Sequence, residues 1–209
     1  DIFISDIQKG MAGTDIKAGI IKVVMDSECD TPGRKLQHHA AARAAVETDC
    51  PIFLHSCSYK ETGRYQLKLL KEAGMPMNRV RIDHILDTTN FEYFNWLYDQ
   101  GVWLGADRLP LVHSPNEYFV STQGRLDTIK RMIDAGMADR ILLSHDAGGV
   151  STLWDTVDDE TSRFLNEEVI PDGWLFILKH AFPRLIEMGV DPQILHQILF
   201  ENPQRYFEG

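Results

Sequence analysis

The chain has 209 residues, 44% hydrophobic and 25% charged, the composition of an ordinary globular protein rather than a disordered or fibrous one. That length allows one sizeable domain with a real core, or two small ones. A formal net charge of −10 repels phosphate backbones and anionic lipid, which argues against nucleic-acid and membrane-surface partners.

The three cysteines, Cys29, Cys50 and Cys57, are odd in number and match no zinc-finger spacing. They read as reduced thiols in a cytoplasmic protein. Cys57 lies two residues after His55, but a buried thiol accounts for it. No run of about 18 apolar residues offers a transmembrane helix. The opening residues lack an initiator methionine and the layout of a secretion signal, and read as if taken from the middle of a protein.

In chain order, Ile20-Ile21-Lys22-Val23-Val24 is a short β-branched run and predicts a strand. The Ala-rich stretch 34–48 predicts a helix. Pro51 to His55 is the next strand, and 62–73 is a helix closed by Gly74. Arg79 to His84 is a third strand, followed by an aromatic-rich helix over 90–100. Val102 to Gly105 is a fourth strand. The stretch 106–123 reads as a loop because of Pro110, Ser114, Pro115 and Asn116. Leu126, Ile129, Met132 and Ile133 stand at helical spacing within 125–135. Arg140 to Ser144 is a fifth strand, and a second long loop spans 147–172. Helices over 174–188 and 192–200 follow, the latter with Asp191 as cap and Pro192 in the first position.

Strands alternating with helices every 30–40 residues or so indicate βα units and a parallel sheet. Continuous apolar runs suit strands buried on both faces. A doubly wound nucleotide-binding sheet and a (β/α)8 barrel both fit that pattern, but no Gly-x-Gly-x-x-Gly follows a strand. The strand ends favour the barrel. They finish near Lys22, at His55, at His84, at Asp107-Arg108 and at Asp146. In a (β/α)8 barrel those ends share one mouth, where active sites lie. Histidines and a carboxylate there suit zinc and similar divalent metals, which activate water at neutral pH. Each residue also has a structural reading, since a strand-end histidine often packs and an aspartate often caps a turn. Lys22 is harder to explain so, because an ammonium inside Ile-Ile-Lys-Val-Val must snorkel, pair or be modified.

These residues resemble the phosphotriesterase-like branch of the amidohydrolase superfamily over nearly all 209 residues. Lys22 in Ala18-Gly19-Ile20-Ile21-Lys22-Val23 is similar to the family's strand-four lysine, which is carboxylated and bridges two metals. His55 in Phe53-Leu54-His55-Ser56 resembles the strand-five ligand, and His84 in Ile82-Asp83-His84 the strand-six ligand. Asp146 in Leu143-Ser144-His145-Asp146 resembles the strand-eight aspartate. Gly105-Ala106-Asp107-Arg108-Leu109-Pro110 resembles the strand-seven segment, where the Arg108 position contacts substrate or helps move protons. Asp87 matches an acidic shuttle partner, and Glu201-Asn202-Pro203 the closing segment.

The resemblance implies strands four to eight of a (β/α)8 barrel, an α/β fold, as a single domain over residues 1–209 that lacks its N-terminal strands. It implies a divalent metal centre, zinc first with cobalt, manganese or iron as alternatives, and two ions in a complete site. Lys22, His55, His84 and Asp146 would be ligands, and Asp146, Asp87 and Arg108 catalytic groups. The implied substrate is a small lactone, ester or phosphotriester, and the implied assembly a homodimer. Loops 106–123 and 147–172 would wall the pocket, with His113, Tyr118, Phe119 and Trp154 as candidate contacts. One departure is plain. The family's strand-one His-x-His pair is not among these residues, and His38-His39, adjacent and on a helix, cannot replace it. Two rival readings follow: a TatD-like nuclease, which uses a glutamate where Lys22 stands and is disfavoured by the acidic charge, and an inactive barrel fragment that binds a ligand or partner.

Overall fold

Five short strands set the frame: β1 (Ile21–Met25), β2 (Ile52–Ser56), β3 (Val80–Asp83), β4 (Trp103–Ala106) and β5 (Ile141–Leu143). The structure, a computed structural model, describes residues 1–26, 31–109, 120–147 and 172–209. Among the described residues these strands form one parallel sheet, each strand beside its neighbour in sequence. The order follows from the chain, since each helical crossover returns the next strand alongside the last.

The helices are α1 (Ile2–Gln8), α2 (Pro32–Thr48), α3 (Thr62–Glu72), α4 (Phe91–Asp99) and α5 (Thr122–Asp134), followed by C-terminal segments. Side-chain hydroxyls and amides close their open N–H groups. Thr31 caps α2, Asn90 caps α4 and Ser121 caps α5, each accepting a bond from a first-turn N–H. Asp191 caps Pro192–His196 as its sequence predicts.

Side chains on a strand alternate between faces. One face of the sheet presents Ile21, Val23, Ile52, Leu54, Val80, Ile82, Leu104 and Ile141 to the helices, whose Ala41, Ala45, Leu67, Leu70, Phe94, Leu97, Ile129 and Met132 complete the core. The other face presents Lys22, Phe53, His55, Arg81, Asp83, Trp103 and Leu142. Here the sequence reading is corrected. β3 and β4 are buried throughout, but β1 and β2 alternate in burial, so Lys22 on β1 keeps contact with solvent. Its charge is met by pairing, one of the three outcomes its sequence context allowed. Cys50 and Cys57 are buried free thiols, as expected; Cys29 lies outside the described residues.

Two prolines account for the largest departure in secondary structure. The helix expected over 174–188 divides into a π-helical turn, Ile177–Ala181, and an α-helix, Phe182–Glu187. The helix expected over 192–200 becomes Pro192–His196, a second π-helical turn Gln197–Glu201, and an α-helix Asn202–Glu208. Pro183 and Pro203 lie one residue into the segment after each widened turn. A proline ring removes one N–H donor and presses on the preceding turn, and widening that turn relieves the clash.

Tyr206, fully buried, stitches the last helix to the sheet. Its hydroxyl donates to the Ile52 carbonyl at 2.9 Å. Arg79 donates to the Tyr206 carbonyl at 2.9 Å and to the Asp49 carbonyl. Phe53, Trp103 and Tyr206 stack there as an aromatic cluster.

β3 and β4 approach so closely that residue 105 must be glycine. A Cβ there would lie 2.6 Å from the Ile82 carbonyl oxygen, 2.8 Å from Arg81 Nε and 2.8 Å from Asp83 Oδ1. Replacement G105A should therefore destabilise the fold by about 1–3 kcal/mol, the range for overpacking. Urea unfolding of the two proteins side by side measures this, and an unchanged midpoint would contradict the close approach.

Candidate metal site

The chain turns sharply just beyond three of the strands. His84 (φ 63), Arg108 (φ 57) and Asp146 (φ 50) all adopt left-handed backbone conformations. These are costly for residues with a side chain and concentrate where the surrounding structure enforces them. All three were singled out from sequence, and all three lie at one edge of the sheet.

His55 and His84 meet in space. His55 Nδ1 and His84 Nε2 are 2.8 Å apart, with the rings nearly perpendicular. Each ring has a carboxylate behind it. His55 Nε2 lies 3.0 Å from Asp26 Oδ1. His84 Nδ1 lies 2.9 Å from buried Asp107 Oδ2, short in distance although bent from the ideal hydrogen-bond line. Asp107 also accepts the His84 backbone N–H at 2.9 Å. A carboxylate behind an imidazole holds the ring proton on its own side. The two nitrogens that face each other are then both lone pairs, an arrangement that is repulsive until a proton or a cation lies between them. This is a donor pair suited to a divalent metal. A carboxylate oxygen from Asp107, one from Asp146 and a nitrogen of His84 also lie within 4.8 Å of one another.

The protonation states agree. Burial, and then His84, push the His55 imidazole below its usual pKa, against the pull of Asp26. Burial alone would raise Asp107, but its bond to His84 and the charges of Arg81 and Arg108 hold its carboxyl below the usual range. Both shifts favour neutral His55 and ionised Asp107, the forms that a cation requires of ligand and supporting carboxylate.

Asp146 sits beside this pair, 3.8 Å from His84 Nδ1, and accepts from Arg108 Nε at 3.0 Å. Arg108 Nη1 donates to Asp87. Although burial would lower the Arg108 pKa, Asp87, Asp146 and Asp107 raise it, so the guanidinium is fully charged. Asp87 in turn accepts from Arg125 Nη2 at 2.8 Å.

Lys22 has a carboxylate partner of its own. Its ammonium pairs with buried Asp83, whose other oxygen faces Arg81 Nε at 2.6 Å. Arg81 also donates to Ser144 at 3.0 Å and covers the Phe53 ring. The structure thus gathers His55, His84, Asp146, Arg108 and Asp87, and it gives Lys22 a carboxylate partner next to His84.

Sequence reasoning missed the supporting groups Asp26, Asp83 and Arg125, and gave Asp107 no supporting role. Asp83 and Asp107 adjoin residues that were named, so their positions were a usable signal. Arg125 had none, since it reads as an ordinary helix arginine. Behind β2, Gln66 Nε2 donates to the His55 carbonyl at 3.1 Å and to His38 Nε2 at 3.2 Å. His38 Nδ1 donates to the Arg34 carbonyl at 2.8 Å. On the other flank the Ile177 N–H donates to His145 Nε2 at 3.2 Å, and Trp174 Nε1 to the Ala147 carbonyl at 3.0 Å. His113, Tyr118, Phe119 and Trp154 lie outside the described residues.

A parallel α/β sheet with imidazoles and carboxylates gathered at the C-terminal edge of its strands defines a class of hydrolase-type metal sites. A profile of the phosphotriesterase family matches residues 1–207, and the chain belongs to that family. It is 32% identical to an aryldialkylphosphatase of Saccharolobus solfataricus, over 99% of this chain and 63% of that protein. It is 35% identical to a phosphotriesterase homology protein of Mycobacterium tuberculosis, over 100% of this chain and 60% of that protein. An N-acetyltaurine hydrolase of Danio rerio is 26% identical, over 99% of this chain and 57% of that protein. The structure of the phosphotriesterase from Mycobacterium tuberculosis superposes with a TM-score of 0.88 at 33% identity, covering 100% of this chain and 61% of that one. The chain thus spans about three fifths of the length of these relatives. The family is metal-dependent, and its members named here are hydrolases acting on small molecules. No helix among the described residues is long and apolar enough to cross a membrane.

Burial lowers the His38 pKa from its ordinary 6.5. The folded chain therefore binds fewer protons at His38 than the unfolded chain once the pH drops below that value. Its contribution is complete above about pH 6.5 and is lost as the pH falls towards the folded pKa. Unfolding midpoints compared at pH 7.5 and 5.5 should fall less in H38Q than in the parent protein; an equal fall would contradict a neutral buried His38.

Proposed function

We propose that this chain forms the metal-binding part of a hydrolase that cleaves an ester bond, with a lactone, a carboxylic ester or a phosphotriester as substrate. The facing nitrogens of His55 and His84, each backed by a carboxylate, are the observation that supports it most. The five strands correspond in this reading to strands four to eight of a (β/α)8 barrel. A divalent metal, zinc in the first instance, would supply Lewis-acid activation of water and of the scissile bond.

The residues of the chain then have separable tasks. His55 and His84 would hold the metal, with Asp146 beside them. Asp107 and Asp26 fix the orientation and tautomer of the two imidazoles. Lys22 would join the ligand set as its carbamate. Releasing Asp83 does not strand that carboxylate, because Arg81 already holds its other oxygen. Asp146 would take the proton lost by the attacking water, being a solvent-accessible carboxylate beside His84. Arg108, permanently charged and poised over Asp146, would meet the negative charge that develops on the carbonyl or phosphoryl oxygen. Asp87 would keep Arg108 in place and receive the proton passed on from Asp146.

The names of two relatives, an aryldialkylphosphatase and an N-acetyltaurine hydrolase, support a reading that admits both phosphorus and acyl centres. Phosphotriesters, lactones and aryl esters are therefore the substrates to assay, on the longest natural form of the protein. We expect metal in the purified protein and hydrolysis of at least one class. H55A and H84A should lose both, and D107N should weaken metal affinity about 10–100-fold, as removal of a supporting carboxylate does. Metal content untouched by H55A and H84A, or full hydrolysis after the metal is stripped, would refute this reading.

A further inference from the structure

The ionic chain at the mouth has a buried end. Side-chain exposure rises stepwise along it, from 1% at Arg125 to 17% at Asp87, 28% at Arg108 and 44% at Asp146. The charges alternate, so each inner group neutralises the next one out. Arg125 lies in the first turn of α5, and it is the largest of the fully buried side chains. A buried guanidinium is expensive to desolvate, and its Nη1 has no hydrogen-bond partner among the described residues. Its Nε donates to the Val120 carbonyl at 3.0 Å. That bond alone would make it a strut for the entry to α5. The Nη2 bond to Asp87 Oδ1 goes further. It fixes the carboxylate whose other oxygen holds Arg108, and Arg108 in turn reaches Asp146.

We propose that Arg125 is a positioning residue for the reaction: by pinning Asp87 from inside the fold, it holds the Arg108 guanidinium at the distance from Asp146 that catalysis needs. The proposal rests on the hydrolase reading above and extends it to a residue in the body of the protein. Arg108 has two carboxylate partners and a left-handed backbone. With Asp87 free to turn, its guanidinium has no fixed orientation, and a charge placed about 1 Å away from its site loses much of its effect on the transition state. The bonds of Arg125 among the described residues go to Val120 and Asp87 and not to the metal-site imidazoles, so its effect should fall on turnover and leave substrate affinity nearly unchanged.

The test compares R125M, D87N and the double variant R125M/D87N on the metal-loaded natural protein, with aryl esters or phosphotriesters of graded leaving-group acidity. R125M and D87N should each lower kcat about tenfold or more with little change in KM. The double variant should be no worse than the poorer single one, as for residues that act as a unit. R125K, which restores the charge on Asp87, should recover part of the loss. Losses that multiply in the double variant, or an R125M kcat equal to the parent's, would overturn the proposal. Should R125M fail to fold, R125K/D87N against D87N decides it: the two should share one kcat, and a further loss from R125K in the D87N background would overturn the proposal. If the parent protein hydrolyses nothing, the hydrolase reading falls by itself. The Arg125 link is then read from hydrogen exchange at Arg108 Nε, which R125M should accelerate; unchanged protection would overturn the link.

Discussion

In a parallel sheet every strand points the same way, so every strand ends at the same edge. That constraint places His55, His84, Arg108 and Asp146 together although 91 positions of numbering separate the first from the last. No loop has to fold back to assemble the group. The sheet is in turn held by a helix-facing core of Ile, Val and Leu side chains, which leaves the opposite face free to carry charge. The division between a face that stabilises and an edge that reacts is built into the alternation of the strand.

Strain and charge are concentrated at that edge. Three residues bearing side chains adopt left-handed conformations within a few residues of a strand end, and two aspartates, Asp83 and Asp107, are almost wholly buried there. A buried carboxylate is tolerable only when it is paired. Asp83 has Lys22 and Arg81; Asp107 has His84 and its backbone N–H. The consequence is a site in which rings and guanidinium groups are oriented before any ligand arrives, the condition under which fixed charges act most strongly on a reacting centre.

Much of this was legible in the sequence, for specific reasons. The β-branched runs around Val23, Leu54, Ile82 and Leu142 gave the strands to within a residue or two, because apolar runs bounded by turn residues have few other uses. The order Lys22, His55, His84, Arg108, Asp146 gave the edge residues. The failures were also physical. A run such as Ile-Ile-Lys-Val-Val reads as buried on both sides, yet β1 is covered on one face only, a property of its neighbours in space. Pro183 and Pro203 were visible as letters, but whether a helix stops or widens at a proline depends on what packs around it. Arg125 looked like any solvated helix arginine, because nothing local records that Asp87, 38 positions away, lies beside it. The pairing of Lys22 with Asp83 has no local signal either, since the side chains that meet across strands depend on register.

The link from Tyr206 to Ile52 spans 154 positions. On a ribosome adding about 5–20 residues per second, Ile52 is made roughly 8–30 seconds before Tyr206. Through that interval the Ile52 carbonyl lacks the Tyr206 hydroxyl, Arg79 lacks one of its carbonyl partners, and Phe53 and Trp103 lack the ring that packs between them. The closing helix therefore acts on the history of the molecule as well as its stability. Until it docks, the nascent sheet leaves aromatic surface uncovered, the kind of transient exposure that favours association with other chains.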